Sequence, residues 1–377
     1  MNKIPFNKPF LIGSELKYIE EAVHSGKISG NGMFTKKCQE FFEKKYGFKK
    51  VLLTSSCTDA LEMAAILADI KEGDEVIIPS YTFVSTALAF VRQGAKIVFA
   101  DSYSNNPNID ADSIEALITS KTKVIVPVHY AGVACDMGKI MELAAKYNLL
   151  VIEDAAQAID SFYIGKDGMK KALGSIGHLA AFSFHETKNI ISGEGGMLTI
   201  NDTRFIDRAE VIWEKGTNRA QFFRGEIDKY GWVDLGSSFL PSEVTAAFLW
   251  GQLENLETIQ KKRKQLWEYY YEQLKPIVGT LAIQMPEMPD YATNNGHMFY
   301  LRFSTLEERK KYIEKLKKHD VLAVFHYISL HSSPYYASKH DGRVLSNTDQ
   351  FTNTLLRLPM YYDLSENEID TIVNCFK

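Results

Sequence analysis

The sequence is most informative first in what it lacks. Only four of its 377 residues are cysteine, at 38, 57, 135 and 375, and no two share a CxxC spacing. That pattern speaks against a zinc site and against a disulfide scaffold, and suits a reducing cytoplasm. No apolar run reaches 18 residues, which argues against a membrane-spanning helix. The first residues, Met1-Asn2-Lys3-Ile4-Pro5, lack the apolar core of a signal peptide. Net charge is −4 with acids and bases interspersed, so no basic field for nucleic acid is expected. The short run Lys261-Lys262-Arg263-Lys264 reads as a solvated helix face. Repeats, low-complexity tracts and flexible linkers are absent. What remains, 45% hydrophobic and 24% charged residues, is the composition of a folded chain long enough for two domains.

The stretch around which the rest is organised is Ser183-Phe184-His185-Glu186-Thr187-Lys188-Asn189. The apolar run 179–182 leads in and Gly193-Glu194-Gly195-Gly196 follows. It reads as a buried strand that ends by presenting polar side chains, the last a lysine backed by Ile190-Ile191. Desolvation would lower the pKa of such a lysine and free its amine to attack a carbonyl. A surface lysine in a loop is the alternative, since lysine is seldom buried.

In chain order, helices are expected at 14–24 and 34–46, then a strand at 51–54. Ser55-Ser56-Cys57-Thr58 follows, and a helix opens at Asp59. A strand, a small polar turn and a helix N-terminus together offer free N–H groups and a positive dipole to a phosphate. Ordinary capping by Ser56 or Thr58 explains the same residues. Further strands are expected at 75–79, 96–101, 123–129, 149–154 and 195–200, with helices at 137–147, 204–214 and 241–274. Strands alternating with helices predict a mostly parallel sheet covered on both faces, with ligands at the C-terminal strand ends. Thr58, Phe83, His129, Asp154 and Lys188 all fall at or just after such ends. The long stretch 215–240 has little periodicity and is rich in aromatics and arginine, a composition typical of interfaces. From about residue 275 short strands and helices suggest a smaller α/β unit. The division expected is a large domain over 1–250 and a small one over 251–377.

Asp154 and Lys188 together suggest pyridoxal 5′-phosphate. The lysine would hold the aldehyde, and the acid would keep the pyridine nitrogen protonated so that the ring withdraws electrons. As an isolated residue, Asp154 could equally cap the next helix. With these motifs assembled, the chain resembles the DegT/DnrJ/EryC1/StrS family of sugar aminotransferases. The residues carrying the resemblance are Ser56-Cys57-Thr58, Pro79-Ser80-Tyr81-Thr82-Phe83, Pro127-Val128-His129, Glu153-Asp154-Ala155-Ala156-Gln157 and 182–189, within a match from Ile4 to Met360. Segments 126–135, 214–225 and 323–327 resemble the branch that aminates C4 of a dTDP-linked ketosugar for enterobacterial common antigen synthesis.

The resemblance implies an α/β fold of aspartate-aminotransferase type (fold type I). It implies Lys188 as the catalytic residue, with Asp154 on the pyridine nitrogen, Gln157 on the ring hydroxyl and Phe83 on the ring face. Ser56, Cys57, Thr58 and Ser183 would hold the phosphate. His129, His185, Arg219, His326 and Tyr327 are the implied substrate contacts, although His129 and His185 could instead be structural. L-Glutamate is the implied donor and a nucleotide sugar the acceptor, in a homodimer with shared sites and no metal. Arg219 and Arg224 are the candidates for the glutamate carboxylate. Where many relatives carry Gly-x-Asn-x-Arg, this chain reads Gly236-Ser237-Ser238-Phe239-Leu240, so Ser238 is the implied residue reaching the partner's phosphate. Related sugar 3-dehydratases carry histidine at the Lys188 position, and non-catalytic relatives would not need the Lys188–Asp154 pair; both features favour an aminotransferase.

Overall fold

The computed structural model describes residues 3–377. Strands β1 (Lys50–Thr54), β2 (Glu75–Pro79), β3 (Lys96–Ala100), β4 (Thr122–Ile125) and β5 (Leu150–Asp154) come first. They are followed by β6 (Phe162–Ile164), β7 (Lys170–Ala172), β8 (Leu179–Ser183) and β9 (Gly196–Ile200). Seven of these form one sheet in the order β1-β9-β8-β5-β4-β2-β3, while β6 and β7 pair as a separate ribbon. From β8 to β3 every pairing is parallel; β9 runs antiparallel to both neighbours. The fold is α/β with a mostly parallel central sheet, the fold type I architecture.

The strands are nearly continuous apolar runs because both faces are covered. Side chains alternate between two cores. Val51, Leu53, Ile77, Ile125 and Val151 enter one. Leu52, Val76, Ile78, Val124 and Ile152 enter the other. The helix Met33–Tyr46 begins on a buried carboxylate: Glu243 accepts the N–H groups of Gly32 (2.9 Å), Phe34 (2.7 Å) and Thr35 (3.1 Å), which fills the role of an N-cap from a distant helix.

A second sheet, ordered β10 (Phe299–Arg302), β12 (Leu355–Leu358), β11 (Val324–Phe325), is wholly antiparallel. Its own core includes Tyr270, Phe299, Leu356 and Phe376, and Ile4 joins it by bridging to Val321. The helix Leu256–Val278 joins the two sheets: Ile259 enters the large-sheet core that holds Val51, and Leu266 and Leu274 enter the core of the second sheet.

Several local expectations are corrected. The helical run 241–274 is two helices, Glu243–Leu253 and Leu256–Val278; between them Asn255 folds its side chain back onto the Gly251 carbonyl (3.1 Å). The strand expected at 123–129 ends at Ile125, and beyond it Val128 makes only a bridge to Asp154. Two short strands not expected from sequence, β6 and β7, lie between β5 and β8. The connection from β5 to β8 is therefore a ribbon and not a helix. Segment 215–240 contains a short helix, Arg219–Phe223, and is pinned at its base by bridges Glu214–Ser238 and Thr217–Trp232.

Candidate active site

β1, β2, β4, β5 and β8 run in one direction, so their C-terminal ends share one edge of the sheet. A cleft of about 620 Å³ opens there, the position expected for a ligand of such a sheet. Of the residues singled out in the sequence, Ser56, Cys57, Thr58, Phe83, Asp154, Gln157, Ser183, His185, Lys188, His326 and Tyr327 line it.

The turn after β1 leads into the helix Cys57–Leu67. Ser56 caps that helix, its Oγ accepting the Asp59 N–H at 3.1 Å, which leaves the hydroxyl proton free to donate. The Thr58 and Ser85 hydroxyls are 2.8 Å apart. Gly196, opposite, lies so close that an added Cβ would fall 2.5 Å from the Cys57 nitrogen. The backbone is thus packed tightly behind the helix N-terminus, whose residues Cys57 and Thr58 line the cleft. The capping expected of Ser56 is present, and its geometry leaves the helix N-terminus open to an anion.

β5 ends in two acids with opposite fates. Glu153 is fully buried and accepts N–H groups from Gly174 (2.7 Å) and Ile176 (2.8 Å). Asp154 faces the cleft, with Oδ2 accepting the Thr86 hydroxyl (2.7 Å) and Oδ1 the Ala156 N–H (3.1 Å). Burial pushes the Asp154 carboxyl up, while these two donors hold it down. No ion pair among the described residues neutralises it. A buried, half-satisfied carboxylate beside a helix N-terminus fits a flat cationic ring that carries a phosphate. Gln157 accepts the Ala131 N–H (2.6 Å) and donates to the Tyr327 hydroxyl (3.2 Å), which fixes its amide at the cleft wall. Phe83 is 58% exposed, its ring 6.2 Å from that of Tyr327. An apolar ring so open to the cleft can cover the face of a bound ring.

The loop between β8 and β9 presents Lys188. Its neighbour Asn189 is anchored to Gln260 (2.8 Å), the Asn295 carbonyl (2.9 Å) and His297 Nδ1 (2.8 Å). This anchoring fixes the lysine backbone. Burial lowers the Lys188 pKa most, and the nearby Arg357 lowers it further.

Three expected site residues lie elsewhere. His129 is fully buried behind the cleft. Its Nε2–H donates to Glu153 (2.8 Å) and its Nδ1 accepts the Cys135 N–H (3.1 Å), so no ring nitrogen is left for a substrate. Arg219 stacks over Phe223, 5.1 Å from the ring centroid, and Ser238 is exposed at the base of 215–240; neither lines this cleft. Arg224, the other arginine considered, is held by Glu210 and Glu226 at 2.7 Å each. Conversely, Thr86, His297 and Arg357 line the cleft without having been singled out. For Arg357 a signal existed: a charged residue inside the apolar tetrapeptide Leu355–Leu358. For His297 there was none. Among the described residues no cluster of His, Cys, Asp or Glu could hold a metal ion, and no helix is long and apolar enough to cross a membrane.

Comparison with known proteins agrees with this geometry. Residues 10–377 match the DegT/DnrJ/EryC1/StrS aminotransferase family. The chain is 31% identical to the spore coat polysaccharide biosynthesis protein SpsC of Bacillus subtilis, over 99% of this chain and 96% of that protein. It is 31% identical to the GDP-perosamine synthase of Caulobacter vibrioides, over 98% and 96% respectively. The solved PLP form of the putative sugar aminotransferase Spr1654 from Streptococcus pneumoniae superposes with a TM-score of 0.89 at 25% identity, covering 100% of this chain and 98% of that one. The chain belongs to the DegT/DnrJ/EryC1/StrS family and is a pyridoxal-phosphate-dependent sugar aminotransferase.

Proposed function

We propose that the chain transfers the amino group of L-glutamate to the C4 ketone of dTDP-4-keto-6-deoxy-D-glucose, giving dTDP-4-amino-4,6-dideoxy-D-galactose. The observation that carries an aminotransferase mechanism is the presence of Lys188, Asp154 and the N-terminus of the helix Cys57–Leu67 on one cleft. The choice of sugar rests on segments 126–135, 214–225 and 323–327. When bound, pyridoxal phosphate supplies the aldehyde that takes up the amino group and the ring that draws electrons from the reacting carbon.

The protein's part in this is assigned as follows. The N–H groups of Cys57 and Thr58, with the hydroxyls of Ser56, Thr58 and Ser183, bind the phosphate through a helix N-terminus. Phe83 covers one ring face, and Gln157 donates to the ring hydroxyl. Asp154 keeps a proton on the pyridine nitrogen. Lys188 holds the aldehyde, and its amine, with a pKa depressed by burial, carries the proton to and from the substrate carbon. His185, His326 and Tyr327 line the remaining wall against the sugar. Four free cysteines suit a cytoplasmic site of action.

A GDP-linked ketosugar is the second reading, favoured by the similarity to a GDP-perosamine synthase. The holoenzyme should be incubated with L-glutamate and, in turn, dTDP- and GDP-linked 4-keto-6-deoxysugars and a 3-keto isomer, and the products identified by NMR. A 4-amino-galacto product from the dTDP substrate alone is expected. Turnover of only the GDP or 3-keto substrate would overturn the reading.

The site is further proposed to be completed in a homodimer. Trp232 (81% exposed), Phe223 (68%) and Leu235 (62%) project from 215–240 into solvent, an apolar surface that isolated chains rarely leave open. Trp213, by contrast, belongs to the core, with its Nε1–H on the Leu53 carbonyl (2.6 Å). Sedimentation at low concentration should show a dimer. When subunits exchange, Lys188→Ala mixed with an impaired Ser238 variant should recover part of the activity. A fully active monomer would rule sharing out.

A further inference from the structure

The cations lining the cleft are Lys188 and Arg357. With Lys188 committed to the aldehyde, Arg357 is the one left to meet an anionic substrate. It sits on β12, where side chains alternate. Leu356 and Leu358 enter the core of the second sheet; Leu355 enters the large-sheet core that holds Val51, and Arg357 on the same side reaches the cleft. Nη1 donates to His326 Nε2 (3.2 Å), and His326 Nδ1 in turn donates to the Tyr130 hydroxyl (3.0 Å). The Phe6 ring lies 4.7 Å from the guanidinium carbon. Arg357 Nε is buried with no hydrogen-bond partner, and no carboxylate pairs with the group among the described residues. A buried cation with an unsatisfied donor is costly unless an anion completes it.

We infer that Arg357 binds the α-carboxylate of the amino donor, with His326 positioning its guanidinium. The inference rests on the donor reading above. Substrate geometry separates the two anions that could arrive. In an amino acid the carboxylate is bonded directly to the carbon that reacts at Lys188. In a nucleotide sugar the diphosphate hangs from C1, across the ring from a C4 ketone and so far from the lysine. Arg357 stands close enough to Lys188 and His297 to depress the pKa of both. His326 is itself held neutral by burial and by Arg357, as its accepting Nε2 requires. The guanidinium fork offers the parallel pair of donors that a carboxylate takes. Arg224, bound by two glutamates, and Arg219, stacked on Phe223, are not available for this role in the chain's own cleft.

The test follows the two half-reactions separately, by absorbance, in the parent holoenzyme, Arg357→Gln and Arg357→Lys. Arg357→Gln should raise the L-glutamate concentration giving half the maximal rate by about 50-fold or more. The reaction of the amine form with the nucleotide ketosugar should change by less than about threefold. Arg357→Lys, which keeps the charge and loses the fork, should fall between. Titration with 2-methylglutamate, which has no α-proton to lose, reads binding without turnover and should shift by the same factor. If Arg357→Gln does not fold or bind cofactor, Arg357→Lys carries the comparison. Unchanged half-saturation and titration, or a loss confined to the sugar half-reaction, would overturn the inference. A parent enzyme inert to L-glutamate would instead overturn the donor reading. The same variants would then be scored with whichever 2-amino acid reacts, since each carries the same carboxylate.

Discussion

Lys188→Ala should abolish turnover, by about 10⁴-fold or more, while the chain stays folded. The magnitude follows from two tasks resting on one amine, holding the cofactor's aldehyde and carrying the proton at the substrate carbon. No other lysine lines the cleft. Lys170 and Lys171 lie exposed on β7, in the ribbon that connects β5 to β8. The fold should survive because Lys188 makes no ion pair among the described residues, and the anchoring of its loop comes from Asn189, through Gln260, Asn295 and His297. Circular dichroism should match the parent, and the visible absorbance of the lysine-bound cofactor should vanish. Added methylamine, small enough to enter the truncated site, should restore part of the proton transfer. Normal activity in the variant would refute the assignment of Lys188.

The legible parts of this molecule are those in which local chemistry and burial agree. After Glu75, β2 is an apolar run covered on both faces, and 75–79 is a strand with the limits read from sequence. The helix 137–147 likewise has the limits read from sequence. Asp154 was legible because it closes an apolar strand with a polar group, which a doubly covered sheet tolerates only at its ends, and Lys188 because it follows β8 in a polar loop backed by Ile190-Ile191. The failures share a cause, in that tertiary partners decide them. His129 and Asp154 both follow strands, yet His129 turns inward to Glu153 whereas Asp154 faces the cleft. β6 and β7 are three residues each, too short for periodicity to show. Trp213, two residues before the aromatic stretch 215–240, is a core residue, because its indole meets a carbonyl of β1. Arg357 comes from the second sheet, and no spacing in the sequence says that β12 will border the cleft.

Asp154→Asn should bind cofactor and react about 10²–10³-fold more slowly, the cost typical of removing one preorganised electrostatic partner. The amide is nearly the same size and can still accept the Thr86 hydroxyl, so the cleft should keep its shape. What it loses is the negative charge that favours a proton on the pyridine nitrogen, and both half-reactions should slow together. Thr86→Val tests the same charge from the other side. The Asp154 carboxyl is pushed up by burial, and the Thr86 hydroxyl is the strongest influence pulling it back. Removing that donor should raise the carboxyl pKa further. The carboxylate form is then lost sooner as pH falls, so the acid limb of the pH–rate profile should move to higher pH, with the rate on the alkaline side little changed. Equal rates for Asp154→Asn and the parent would remove Asp154 from the mechanism. An acid limb that stays in place or moves to lower pH in Thr86→Val would show that the hydroxyl does not tune this carboxylate.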